Sequence, residues 1–199
     1  MWAGNSHHVT ILFFVVYNFM YSECEGSYPL IFFYDEVCFY NIDRSCVRTT
    51  LITCGYLTYD FLLLSIYFTK ERPITYQTIG HHIFAMVVLL CALYTGYSMG
   101  TLTTATLVCE FSSVFLNYRS IFIERKIKTT IAFANQVVFF FTFFFTRIIM
   151  LPILQYLTFY SLSNIWQDLD SSRKTSGVVL CIFSTLMMLL NFYWFSLII

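Results

Sequence analysis

Long apolar stretches alternate with short polar connections along this chain. Apolar runs of this kind predict helices that cross a membrane, because about twenty apolar helical residues span the hydrocarbon core. The predicted spans cover residues 8–21, 47–68, 81–97, 101–118, 130–150 and 177–199. A mixed segment at 154–174 predicts an interfacial or half-inserted helix followed by a loop. The first run is short for a membrane span, and a cleaved signal peptide is the alternative. No basic residues precede the run, however, which favours a short membrane helix.

Composition agrees with a membrane protein. Hydrophobic residues make up 58% of the 199 residues and charged residues only 11%, whereas about a quarter of an ordinary soluble domain is charged. The formal net charge of zero argues against nucleic acid as a partner. The predicted fold is therefore an all-α, polytopic transmembrane helical bundle of about six spans. Residues 1–46 form a short apolar segment and an acidic loop, and residues 47–199 form the main domain.

The charged connections predict the orientation of the chain. Residues 23–44 are mostly acidic, whereas 70–72 and 119–128 are rich in Lys and Arg. Because basic connections stay on the cytoplasmic side, six alternating spans place both basic loops there and the acidic loop in the lumen. A re-entrant pair at 81–118 fits the same charges.

The seven cysteines and four histidines do not show metal-ligand spacing. We expect no metal and no cofactor. Four cysteines lie in apolar runs and are expected to be small buried hydrophobes: Cys54, Cys91, Cys109 and Cys181. Three others lie in or beside the acidic loop, where a lumenal disulfide is possible: Cys24, Cys38 and Cys46.

Ionisable side chains occur within the apolar runs at Asp60, Glu110, Arg147 and the pair His81-His82. Charge inside a membrane must pair or line a wet cavity, since lipid offers no hydrogen-bond partners. One hypothesis is an ion pair that joins helices, between Arg147 and either Asp60 or Glu110. The other is a polar cavity that holds a ligand. A helical spacing places five polar residues on one face toward such a cavity: Thr103, Thr106, Glu110, Ser113 and Asn117.

Four short motifs occur in order: Gly55-Tyr56-Leu57-x-x-Asp60, His81-His82, Glu110-x-Ser112-Ser113-x-Phe115-x-Asn117-x-Arg119, and Phe145-x-Arg147-Ile148 with Pro152. Over residues 50–152 and the last span, this pattern resembles the TLC-domain family, which includes the ceramide synthases. The family pattern normally has more sequence upstream, so the resemblance implies a shortened N-terminus.

The resemblance implies a TLC-type helical bundle in the endoplasmic reticulum or another endomembrane, with a role in lipid homeostasis. The expected partner is a membrane lipid, with a sphingolipid or acyl-CoA as the candidate classes. Substrate binding is assigned to Asp60, Glu110, Ser113, Asn117 and Arg147.

An acyltransferase of the ceramide synthase kind is the first alternative, with His81 and His82 as catalytic residues. The synthases carry a His-Asp motif with a further acidic residue in the next helix, where this chain has Val108-Cys109-Glu110. That departure favours a protein that is not an enzyme. The second alternative is a trafficking or chaperone factor for other membrane proteins.

Overall fold

The structure is a computed structural model, and it describes residues 44–66, 73–96 and 99–199. Within these ranges the chain is all-α, as predicted. The helices are α1 Arg44–Ile66, α2 Pro73–Thr95, α3 Met99–Thr106, α4 Glu110–Glu124, α5 Thr130–Phe143, α6 Leu151–Ile165 and α7 Ser171–Ser196. A 3-10 turn, Leu107–Cys109, joins α3 to α4, and a π-helical segment, Phe144–Met150, joins α5 to α6.

Four helical segments in the described part of the chain are long and apolar enough to cross a membrane. They are Val47–Ile66, Tyr76–Thr95, Thr130–Ile165 and Ser171–Ser196. The polytopic transmembrane helical bundle predicted from the sequence is therefore confirmed. The predicted span at 8–21, the acidic loop and the disulfide lie outside the described residues, so the count of six spans and the orientation stay predictions.

The helix ends differ from the predicted spans in ways that local sequence explains. Helix α2 begins at Pro73 instead of residue 81, because a proline at the first helical position loses no hydrogen bond. Helix α4 continues to Glu124, which shortens the predicted 119–128 connector. Helix α7 begins six residues early, at Ser171, because Asp170 caps it: its Oδ1 accepts a hydrogen bond from the Arg173 amide at 2.8 Å.

The segment after residue 150 is continuous with the preceding helix, which the sequence prediction did not foresee. Helix α5, the π-helical segment and α6 form one run of 36 residues. Pro152 does not end the helix; it lies two residues after the π-helical segment, whose hydrogen-bond pattern differs from that of an α-helix. The predicted span at 101–118 also differs, since the 3-10 turn divides it between α3 and α4.

Helices α2 and α7 pack antiparallel along their whole lengths. At one end the hydroxyls of Tyr94 and Ser172 lie 2.9 Å apart. At the other end Nε1 of Trp194 donates to Oε1 of Gln77 at 2.9 Å. The turn after α2 is made by Gly96, whose φ of 79° lies in the left-handed region that favours glycine.

An apolar core fills the bundle at the Gly96 end. Its buried members come from α2, α3, α6 and α7 and the connection before α7: Ala92, Leu102, Leu162, Ile165, Leu169 and Leu180. A second cluster joins α1 and α2 to the 3-10 turn through Leu57, Leu89 and Leu107. These two clusters border the part of the bundle in which the buried polar side chains meet.

Candidate functional site

A cavity of about 90 Å³ lies inside the helical bundle, and every helix except α5 contributes to its wall. The apolar part of the wall includes Leu57, Val88 and Met187. The polar part includes Thr53, Tyr56, His81, Thr103, Thr106, Glu110, Arg147, Gln155, Ser184 and Asn191. Because a site for a drug-sized molecule usually has about 300–1,000 Å³, this space suits a few waters or one polar group.

Arg147 lies in the cavity wall and makes four hydrogen bonds, and only 5% of its surface is exposed. Its N–H groups donate to the hydroxyls of Ser112 (2.8 Å) and Ser113 (2.9 Å), the amide oxygen of Asn191 (2.8 Å) and the carbonyl of Cys109 (3.2 Å). The guanidinium carbon also lies 5.3 Å from the centre of the Phe143 ring. The charge is thus held by neutral acceptors and an aromatic face.

Two irregular turns make this arrangement possible. Arg147 belongs to the π-helical segment, and the carbonyl of Cys109 ends the 3-10 turn that faces it. The Cys109 thiol donates to the carbonyl of Thr146 at 3.3 Å, which joins the two turns directly. Such departures from the α-helix change which way a side chain points, and they are frequent at functional sites.

The two adjacent histidines point to different places. His81 lines the cavity, and its ring centre lies 5.4 Å from that of Trp194. Its Nδ1 is buried without a hydrogen-bond partner among the described residues. His82 does not line the cavity. Its Nε2 lies 2.8 Å from Oδ2 of Asp60, but the angle between the two groups does not allow a hydrogen bond. One histidine therefore faces the cavity, and the other contacts α1.

The polar face predicted on residues 103–117 divides in the structure. Thr103, Thr106 and Glu110 line the cavity, which Glu110 therefore shares with His81. Ser113 contacts the guanidinium of Arg147 instead, and Asn117 lies further along α4, outside the cavity wall. The structure does not pair Arg147 with Asp60: the donors of Arg147 reach neutral groups, and Asp60 contacts His82. A direct ion pair between Arg147 and Glu110 stays a prediction.

Asn191 and Gln155 are cavity residues that the sequence prediction missed. Both are buried inside apolar helices. Nδ2 of Asn191 donates to the carbonyl of Met187 at 2.8 Å, so its oxygen is left to face Arg147. Nε2 of Gln155 reaches the hydroxyl of Thr185 at 3.3 Å. A side-chain amide within an apolar stretch of sequence would have identified them, because such a group needs a polar partner or a cavity, as Asp60 does.

No three His, Cys, Asp or Glu side chains within residues 44–66, 73–96 and 99–199 are placed to hold a metal ion together. Cys54, Cys91, Cys109 and Cys181 are free thiols, and Cys109 is buried. The groups that the cavity presents to a ligand are hydroxyls, amides, one imidazole, one carboxylate and one guanidinium. These groups bind polar ligands through hydrogen bonds and charge.

Comparison with protein-family models gives a match over residues 5–199, to the model described as TRAM_LAG1_CLN8: TLC domain. The match covers nearly the whole chain, including every cavity residue described above. Comparisons with curated proteins and with solved structures gave no match.

Proposed function

The chain belongs to the TLC-domain family, and we propose that it binds the polar group of a membrane lipid in its central cavity and thereby contributes to lipid homeostasis. Members of this family are integral multi-pass membrane proteins that are generally linked to lipid metabolism. The endoplasmic reticulum or another endomembrane is the proposed location. A sphingolipid or an acyl-CoA is the proposed class of ligand.

The observation that carries this proposal is the meeting of His81, Glu110 and Arg147 around one cavity between the helices of the bundle. Charged and strongly polar side chains are unfavourable at membrane depth, so their convergence indicates a polar ligand or pathway. Arg147 has five N–H donors, of which four reach neighbouring groups. One Nη1 donor of Arg147 remains for a ligand, and His81 lines the same cavity.

The small size of the cavity limits what it can hold. A volume of about 90 Å³ fits a hydroxyl, amide or similar polar group with a water molecule, but not a whole lipid. The hydrocarbon chains of the ligand must therefore extend between helices or into the bilayer. Apolar wall residues such as Ala85, Val88 and Leu89 offer contacts for the carbons next to the polar group.

Acyl transfer is the second candidate, because a histidine faces the cavity and its neighbour contacts a carboxylate. In that reaction His81 would take a proton from the amine of a long-chain base as its nitrogen attacks the thioester carbonyl of acyl-CoA. An amide bond would form and the thiol of coenzyme A would leave with a proton. The contact of His82 with Asp60 would fix the position of the helix that carries His81.

Two single substitutions test binding against catalysis. We expect His81→Ala to remove most of the lipid that copurifies with the protein, because it deletes the imidazole of the cavity wall. His82→Ala should keep the lipid, since that ring contacts Asp60 outside the cavity. Copurified lipid is measured by mass spectrometry after the folded state has been checked by circular dichroism. Ile83→Ala is the matched control, as Ile83 lies on the same helix with 39% of its surface exposed.

The outcomes separate the two candidates. Turnover of acyl-CoA by the purified chain that disappears in His81→Ala would establish the acyl-transfer reaction. Lipid retention without turnover would support binding alone. Unchanged lipid content in both His81→Ala and Arg147→Met would show that the cavity does not bind lipid, and the proposal would be abandoned.

A further inference from the structure

A second concave site lies away from the central cavity, where α4 turns into α5. The groove has a volume of about 490 Å³, within the range of small-molecule sites. Its wall is basic on one part, through Arg119, Lys126 and Lys128, and apolar on another, through Phe122, Ile123 and Phe133. Neither histidine of the central site contributes to it.

The turn at this groove places a lysine where glycine is normally favoured. The amide of Ile127 donates to the carbonyl of Phe122 at 2.9 Å, and that of Lys126 to the carbonyl of Ile123 at 3.1 Å. This is the hydrogen-bond pattern of a Schellman motif, which needs a left-handed residue at the position of Lys126. Lys126 has a φ of 54°, which is unfavourable for a residue with a side chain. Strain of this kind is frequently associated with function.

Arg119 contributes a second observation at the same groove. Its Nε is buried and has no hydrogen-bond partner in the part of the chain that the structure describes. Its guanidinium carbon lies 5.9 Å from the centre of the Phe139 ring, which holds the side chain against α5. A buried charged donor without an acceptor is unfavourable. Arg119 also lines the groove, where an anionic ligand would stabilise the charge of its guanidinium.

The groove lies at the beginning of a helical run that is apolar enough to cross a membrane. Ile131 and Phe133 begin the membrane segment Thr130–Ile165 and are 72% and 70% exposed. Ile123, on the other side of the turn, is 60% exposed. Lipid covers such apolar side chains in a membrane protein, whereas the basic turn between them belongs at the headgroup level.

We propose that this groove binds the phosphate group of an anionic phospholipid from the surrounding bilayer. Arg119, Lys126 and Lys128 provide the positive charge for the phosphate, and the apolar wall contacts the glycerol and the first carbons of the acyl chains. Only Glu124 opposes the basic side chains in the 119–128 segment. The inference stands apart from the proposed function, because the two sites have no wall residue in common.

The test compares phosphatidylglycerol with phosphatidylcholine of the same acyl chains, bound to the full chain in detergent and counted by native mass spectrometry. We expect wild-type protein to favour phosphatidylglycerol. Lys126→Gly and Lys128→Gln should each weaken that preference about fivefold, the effect of one basic residue near a charged membrane surface. Lys126→Gly should also leave the melting temperature unchanged or higher, since glycine removes the strain at this φ.

Arg173→Gln is the matched control, because it removes one exposed basic charge at the beginning of α7. Its preference for phosphatidylglycerol should equal that of the wild type. Equal binding of the two lipids by wild-type protein would overturn the proposal, as would an unchanged preference in Lys126→Gly. If Arg173→Gln weakened the preference for phosphatidylglycerol as much as Lys126→Gly does, the preference would reflect the total charge of the protein and the proposed site would be wrong. Displacement of the lipid by inorganic phosphate at equal concentration would assign the site to free phosphate instead.

Discussion

Replacing Arg147 tests the central hydrogen-bond network most directly. Arg147→Met keeps a flexible side chain but removes four hydrogen bonds and the contact with the Phe143 ring. Side-chain hydrogen bonds between membrane helices contribute about 0.6 kcal/mol each. A desolvated cation–π contact contributes about 2 kcal/mol. The expected decrease in the free energy of unfolding is therefore about 4 kcal/mol.

Arg147→Lys makes the prediction more specific. Lysine keeps the charge and three donors, but it lacks the planar fork that reaches Ser112, Ser113 and Asn191 together. We expect a smaller decrease, of about 1 kcal/mol. The lysine variant should also lose copurified lipid, because its ammonium cannot both replace the guanidinium contacts and face the cavity.

The measurement is unfolding of the purified chain in mixed micelles with increasing dodecyl sulfate, followed by circular dichroism. Ile149→Met is the control, since Ile149 is two residues further along the same helical run and 41% exposed. Its unfolding should match that of the wild type. An Arg147→Met protein as stable as the wild type would refute the reasoning. So would an Arg147→Lys protein less stable than Arg147→Met.

Three other predictions concern packing, capping and orientation. A Cβ at Gly177 would lie 2.8 Å from Cδ1 of Leu162, so Gly177→Ala should lower the free energy of unfolding by about 1–3 kcal/mol. The double variant Gly177→Ala/Leu162→Ala should lose less stability than the sum of the two single variants, because the shorter side chain removes the clash. Additive losses would contradict the close contact. Asp170→Ala should lower stability by about 1 kcal/mol through loss of the α7 cap, and an unchanged unfolding curve would contradict that role. Accessibility probes should find loops 23–44 and 119–128 on opposite sides of the membrane, and finding them on one side would exclude the six-span arrangement.

Secondary structure was largely predictable because each membrane helix satisfies its own backbone within its own segment. Apolar length alone therefore indicated the helices around residues 47–66, 81–95 and 130–150. The boundaries were less accurate, because Pro73 and Asp170 define helix starts through local capping rather than through hydropathy. The continuation of the helix through Pro152 depended on the π-helical segment before it, and apolar patterning does not report that geometry.

The membership of the site was partly predictable for the same energetic reason. Any ionisable residue in an apolar run must have a partner or a cavity, which identified His81, Glu110 and Arg147. This requirement does not determine which of the ionisable residues contact each other. Asp60 was an equally good partner for Arg147 by sequence, but α1 places it beside His82.

The sequence by itself determined the class of protein, the presence of the helices and the inward position of Glu110 and Arg147, because hydrocarbon excludes unsatisfied polar groups wherever they occur. Tertiary structure alone decided how Arg147 is satisfied. Its acceptors come from residues that are 34 to 44 positions away in the chain, on α4, the 3-10 turn and α7. Such contacts depend on the rotation and depth of each helix, and those are fixed by packing against neighbouring helices.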